Sequence, residues 1–173
     1  NLTPAAWSNL GGLNHAAGSL TLNGAFTPAN LTNFSRTTGS TLNLAGVLDL
    51  AGASLDLGSA GLFGNGGLNN LSGTIKNGTV GSSDGTALST SSGTLDAITL
   101  GSNSGTVSNA NALTLSGIIS GAGNLTKSGA GALTLSGTNT YTGTSSFAGA
   151  AIKISLRTSC VCTLTNCAMR LAS

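Results

Sequence analysis

The sequence has no glutamate, only four aspartates, one histidine, one tryptophan and one tyrosine, and no cysteine before position 160. Each shortage closes off a class of chemistry. The four aspartates (Asp49, Asp56, Asp84 and Asp96) stand singly along the chain, so no pair of carboxylates is set up for acid–base work on a glycosidic bond. Gly81-Ser82-Ser83-Asp84-Gly85 satisfies the G-x-S-x-G pattern of a hydrolase elbow, but the only histidine, His15, lies upstream of it, and no helix-forming stretch follows. With so much glycine and serine, the match is read as accidental. Lys and Arg number six, and the net charge is +2. Up to residue 150, Arg36, Lys76 and Lys127 are outnumbered by the four aspartates. No basic stripe with interleaved aromatics is present, and we expect no nucleic-acid partner. No apolar run approaches the length of a membrane helix. Calcium-binding nonapeptides are absent as well, since GLFGNGGLNN (61–70) has no aspartate to hold the ion. No cofactor and no metal site are expected. The chain has neither a starting methionine nor a secretory leader and reads as an excerpt or a processed piece.

Glycine, by contrast, is abundant (27 residues), and with Leu, Thr, Ser and Asn it dominates the sequence. Good helix formers other than Leu and Ala are nearly absent. From Leu113 to Gly149 the chain alternates with a period of two, Leu on one parity and Thr, Ser or Gly on the other, as in extended strands. The word LTLSG occurs at 113–117 and again at 133–137, and SGTIKNGTV (72–80) is echoed by SGTLDAITL (92–100). Positions 55, 75, 95, 115 and 135 read Leu, Ile, Leu, Leu, Leu, and 54, 74, 94, 114 and 134 read Ser, Thr, Thr, Thr, Thr. Three more columns follow at the same interval: Leu48-Leu68-Leu88, Leu22-Leu42-Leu62 and Thr86-Thr106-Thr126-Ser146. Such an echo of a strand pattern is the signature of a solenoid whose identical side chains stack from rung to rung. The expected fold is an all-β, single-stranded parallel β-helix with rungs of about twenty residues.

Three regions follow. Residues 1–30 hold both prolines, Trp7 and His15, keep the period poorly, and are expected to form an irregular first rung or partial cap, with Trp7 as a plug on the end of the stack. Residues 31–149 are the regular β-helix. Residues 150–173 hold no glycine but carry Cys160, Cys162, Cys167, the only Met and half of the basic residues. This divergent tail reads either as a different element or as what a shifted reading frame would append. We expect a strand at 151–156, where Ile152, Ile154 and Leu156 alternate with polar residues, and disorder beyond it. The C-x-C-x4-C run offers three soft ligands without a fourth, so it is not read as a metal site.

One stretch is more specific. GAGNLTKSGAGALTLSGTNTYTG (121–143) closely resembles the passenger-associated transport repeat, also called the autotransporter-associated β-strand repeat. The matching residues are Gly123, Leu125, Lys127, Gly129, Gly131, Leu133, Leu135, Gly137, Asn139, Tyr141 and Gly143, within a repeat read as 121–149. The resemblance implies a right-handed parallel β-helix on the surface of a Gram-negative cell, and a repeat that aids passage through the outer-membrane barrel of the parent protein. It further implies a structural stalk or adhesin that binds host or neighbouring-cell surface molecules, and no enzyme. Two other readings of the same residues are an ice-binding solenoid, which needs two parallel Thr columns on one flat face, and a β-helix polysaccharide-degrading enzyme, which needs charged residues clustered on successive rungs. Lys127, the only charge in the motif, is expected on the outside of its rung, with its stem covering apolar surface and its ammonium in water.

Overall fold

A computed structural model of the chain describes residues 11–86, 88–101, 106–108, 112–148, 152–155, 161–164 and 169–172. The chain is almost entirely β and winds into a parallel β-solenoid of about 6 turns. Every described strand pair between successive rungs is parallel, which a chain can achieve only by completing a circuit between one strand and the next in the same sheet. Among the described residues the one helical element is a 3-10 turn at Pro28–Leu31. It opens where the Thr27 amide donates to Asn30 Oδ1 at 2.7 Å and Pro28 fixes the first residue.

The strands gather into walls. The largest sheet stacks Ala25–Phe26, Val47–Asp49, Thr74–Gly81, Thr94–Leu100, Leu113–Leu115, Leu133–Leu135, Ile152–Ser155 and Met169–Ala172 in that order. A second wall runs through Leu88–Ser89, Thr106–Ser108, Leu125–Ser128, Thr144–Phe147 and Val161–Leu164. Ser19–Leu22, Thr41–Leu44 and Asn70–Leu71 form a third sheet, and Leu13–His15 with Phe34–Arg36 a fourth, so regular pairing begins before residue 30. The strand expected near 151–156 is Ile152–Ser155, paired with Leu133–Leu135. Strands continue where the sequence predicts disorder: Val161–Leu164 lies on Thr144–Phe147, and Met169–Ala172 on Ile152–Ser155. Trp7, Cys160 and Cys167 fall outside the described residues.

Within the regular part the register is the repeat interval read from the sequence. Thr74, Thr94, Thr114 and Thr134 are direct neighbours in the ladder, as are Ile75, Leu95, Leu115 and Leu135. The Leu/Ile column is buried and the Thr column faces outward. Leu residues from Leu22 to Leu135 join one continuous core, each contributing on the order of 1.5–3 kcal/mol.

Before residue 74 the extrapolated columns fail, while in the second wall Thr106, Thr126 and Ser146 are ladder neighbours as counted and only Thr86 drops out. Leu48, and not Leu55, lies beside Ile75, and Val47, and not Ser54, beside Thr74. Leu55 pairs with Val80 and Ser54 with Thr79. Leu42 pairs with Leu20, Leu44 with Leu22 and Leu71, and Leu88 with Val107. Because Leu88 and Val107 are partners, Thr86 does not fall beside Thr106. Two causes act: the rungs that pair Leu20 with Leu42 and Leu88 with Val107 are themselves longer or shorter than twenty residues, and columns that cross residues 58–69 meet a loop there, a glycine-rich insertion held in the coil by buried Phe63 and Leu68. It lengthens its rung, and columns counted across it slip.

Arg36 secures that insertion. Its guanidinium is buried and donates from Nη1 to the Gly67 carbonyl at 2.6 Å and from Nη2 to Ser40 O at 2.5 Å and Asn69 Oδ1 at 2.9 Å. Asn69 Oδ1 also accepts the Leu42 amide at 2.7 Å, so the loop is stitched to the rung beneath. On the outside, Asp84 closes the far end. Its carboxylate accepts the Ser59 amide at 2.9 Å and the Thr86 hydroxyl at 2.6 Å, and these donors hold its pKa well below the ordinary carboxylate range.

Candidate functional site

The motif residues fall on the strands Leu125–Ser128 and Leu133–Leu135 and on the corners around them. A strand aims successive side chains to opposite faces, and here the odd positions go inward. Gly123, Leu125, Lys127, Gly131, Leu133, Leu135, Asn139, Tyr141 and Gly143 are buried; Gly137 is half-buried and only Gly129 is exposed, at a corner with φ of 85°. The even positions Thr138, Thr140, Thr142 and Thr144 are all exposed. The signature is thus almost wholly the lining of one rung.

Lys127 corrects the expectation from its charge. It has no exposed surface, and its ladder neighbours are Val107 on one side and Phe147 on the other. The stem occupies a place in the core column, and Nζ donates to the Gly129 carbonyl at 3.1 Å, where the rung turns. Burial of the ammonium lowers its pKa from the ordinary 10.5. Strand parity, which the surrounding leucines enforce, outweighs the preference of one ammonium for water.

Asn139 and Tyr141 handle the corner that follows. Asn139 Oδ1 accepts the amide of Ile119, one rung earlier, at 3.0 Å. The Ile119 carbonyl accepts the amides of Thr140 at 2.8 Å and Tyr141 at 3.2 Å. A side-chain amide therefore stands in for the backbone where the two corners lose strand register, and no main-chain group of Ile119 is left unpaired. Tyr141 is buried, with its hydroxyl 2.6 Å from Ser145 Oγ. The glycines solve a spacing problem. A Cβ on Gly137 would run into the Gly117 carbonyl oxygen, and one on Gly143 into that of Gly123. Only glycine lets these corners stack.

The motif as read omits Ser145 and Phe147. Ser145 is the partner of Tyr141, and Phe147 covers Lys127. Both continue the odd-position alternation, the signal that would have found them.

Residues 125–151 match the family model described as passenger-associated-transport-repeat. The chain carries a passenger-associated transport repeat. The match starts at Leu125, inside the stretch read as 121–149, and ends two residues beyond it. No curated protein and no solved structure matches the chain. The transport repeat and the β-solenoid together support an autotransporter passenger repeat protein, and such passengers are exported to the cell surface.

The remaining candidates come to little. Ser83, at the centre of the G-x-S-x-G match, lies in the bend after Thr74–Gly81, and its amide donates to Asp56 Oδ1 at 2.9 Å. That bend leads into another strand, at Leu88–Ser89, and not into a helix. Asp49 and Asp56 each accept an amide two residues on, from Ala51 at 3.0 Å and Gly58 at 2.8 Å, and so brace corners. Among the described residues no group of His, Cys or Asp is placed to hold a metal ion.

Proposed function

We propose that this chain is a surface-displayed part of an autotransporter passenger that works by binding, as a stalk or adhesin, and not by catalysis. The observation that supports this reading best is the transport-repeat rung. Its signature side chains are spent on closing the coil, and its exposed positions carry only Ser, Thr, Asn, Ala and Gly, with no charge among them. The partners are surface molecules of a host or neighbouring cell, met along the flank of the rod. During export the partner is the outer-membrane barrel of the parent protein. Because the motif is interior once folded, its contribution to export is to form a rung readily as the chain emerges, so that returning through the barrel is opposed by folding.

The other readings have less support. In the strands that carry the Thr column, the adjacent outward column is Asp49-Lys76-Asp96, with Lys76 Nζ 3.4 Å from Asp49, and not a second row of Thr. Of the other hydroxyl columns, Ser54-Thr79-Thr99-Ser120 lies past left-handed corners at Asn77 and Ala97, and Thr106-Thr126-Ser146 belongs to a different sheet. A flat ice lattice has no room there. For a polysaccharide-degrading enzyme, the carboxylate nearest a groove bottom would be Asp56, which already braces its own loop.

The test is to place the full chain between a signal peptide and an outer-membrane barrel in a Gram-negative host. Surface display is read by protease shaving and adhesion by retention on host cells. The reading expects display with the chain intact, and export slowed by Asn139→Ala or Tyr141→Ala. Normal export of both variants, together with adhesion no greater than that of the barrel alone, would defeat it.

A further inference from the structure

The sequence holds three Asn-Gly pairs, Asn23-Gly24, Asn65-Gly66 and Asn77-Gly78. This is the dipeptide in which the following amide nitrogen most easily reaches the side-chain carbonyl, because no side chain shields it. The fold treats the three differently. Gly24 is packed against the next rung: its carbonyl accepts the Val47 amide at 2.7 Å, and the Gly46 backbone lies so close over the Asn23–Gly24 peptide that no Cβ would fit between them. Asn77 is tied down. Its Nδ2 donates to both oxygens of Asp49 at 3.2 Å, its carbonyl accepts the Gly52 amide at 2.8 Å, and Gly78 sits in the ladder beside Ile98. Among the described residues the only cation nearby, Lys76, is already paired with Asp49 at 3.4 Å, so no unpaired positive charge stands beside that amide.

Asn65 is in the opposite situation. It is exposed in the 58–69 insertion, its flanking Gly64 and Gly66 have φ of 63° and 88°, and no hydrogen bond holds its carboxamide among the described residues. The adjacent charge is positive and buried. A Cβ on Gly66 would stand 2.9 Å from Arg36 Nη2. The hydrogen-bond partners of that guanidinium are carbonyl and carboxamide oxygens, with no carboxylate among them, and its Nε is left without one. The guanidinium therefore lies against the Gly66 backbone, and a fixed cation there stabilises the deprotonated Gly66 amide and the oxyanion that its attack creates.

We propose that Asn65 is a site of spontaneous self-modification, in which the Gly66 amide displaces ammonia with the help of Arg36. The Gly66 nitrogen gives its proton to solvent base and forms a bond to Asn65 Cγ. The bond from Cγ to Nδ2 breaks, and ammonia leaves with a proton from water. Water then opens the succinimide at either carbonyl, yielding aspartate or isoaspartate at position 65. The product carboxylate arises one residue from a guanidinium that has no acidic partner, so charge pairing favours its retention.

The experiment incubates the full chain at mildly alkaline pH, once folded and once in denaturant, and follows the three Asn-Gly peptides by mass spectrometry. In denaturant the three should convert at similar rates, since each is followed by glycine. In the folded protein Asn65 should convert severalfold faster than Asn23 and Asn77. The Arg36→Lys variant should keep most of that advantage, and Arg36→Met should lose it while Asn77 stays protected. If Arg36→Met fails to fold, its Asn77 will lose protection, and the Arg36→Lys and wild-type rates then carry the test. Folded-state conversion of Asn65 no faster than that of Asn77 would overturn the proposal. So would an Arg36→Met variant that keeps Asn77 protected and Asn65 fast.

Discussion

Lys127 and the corner glycines show what single residues contribute to the rung. The lysine stem fills a core column between Val107 and Phe147, and its ammonium is the costly part of the placement. Lys127→Met keeps the stem without the charge, and we expect a melting temperature equal to or above that of the wild type. Lys127→Asp, short and charged in the same column, should cost several kcal/mol. The pH dependence follows from the lowered pKa. The folded state binds fewer protons than the unfolded one between the folded pKa and 10.5, so stability should rise with pH across that window and level off above it. The Met variant should lack that rise. Gly143→Ala should cost about 1–3 kcal/mol, because its Cβ meets the Gly123 carbonyl and the rungs cannot separate to admit it. Thr142→Ala, on the exposed face, should stay within about 0.5 kcal/mol of wild type in the same thermal melts.

At the scale of strands and corners, what the sequence made legible depended on constant rung length. Ile75, Leu95, Leu115 and Leu135 could be aligned by counting because nothing interrupts the interval between them. Leu48 could not, since the 58–69 insertion displaces it from the count and puts Leu55, an equally good leucine, in the expected phase. The facing of Lys127 was hidden by a conflict of two rules: its odd position placed it inside and its charge placed it in water. Asn139 was visible as a motif residue, but its bond to the Ile119 amide was not, because that contact belongs to a corner with no strand pattern of its own. The corrected register can be tested by coupling. In double-mutant cycles with Ile75→Val, Leu48→Ala should show an interaction energy of about 0.5 kcal/mol or more, and Leu55→Ala a value indistinguishable from zero. The reverse order would restore the simple count.

Across the whole molecule the same economy holds. The chain has few charges because stacked rungs satisfy their polar groups through ladders, and a charge repeated in register would repel its neighbour. The exceptions are informative: Arg36 and Asp84 anchor the one long insertion, and Asp49 with Lys76 braces an outer face. The transport repeat is the most regular rung, with its interior written in one parity of the sequence and its surface in the other. Adjacent residues on one strand probe that division of inside from outside. Leu115 is buried between Leu95 and Leu135, and Thr114 faces outward between Thr94 and Thr134. Thermal unfolding of Leu115→Asp and Thr114→Asp should show a loss of several kcal/mol for the first and a far smaller one for the second. Equal losses would contradict the assignment of inside and outside on which everything above depends.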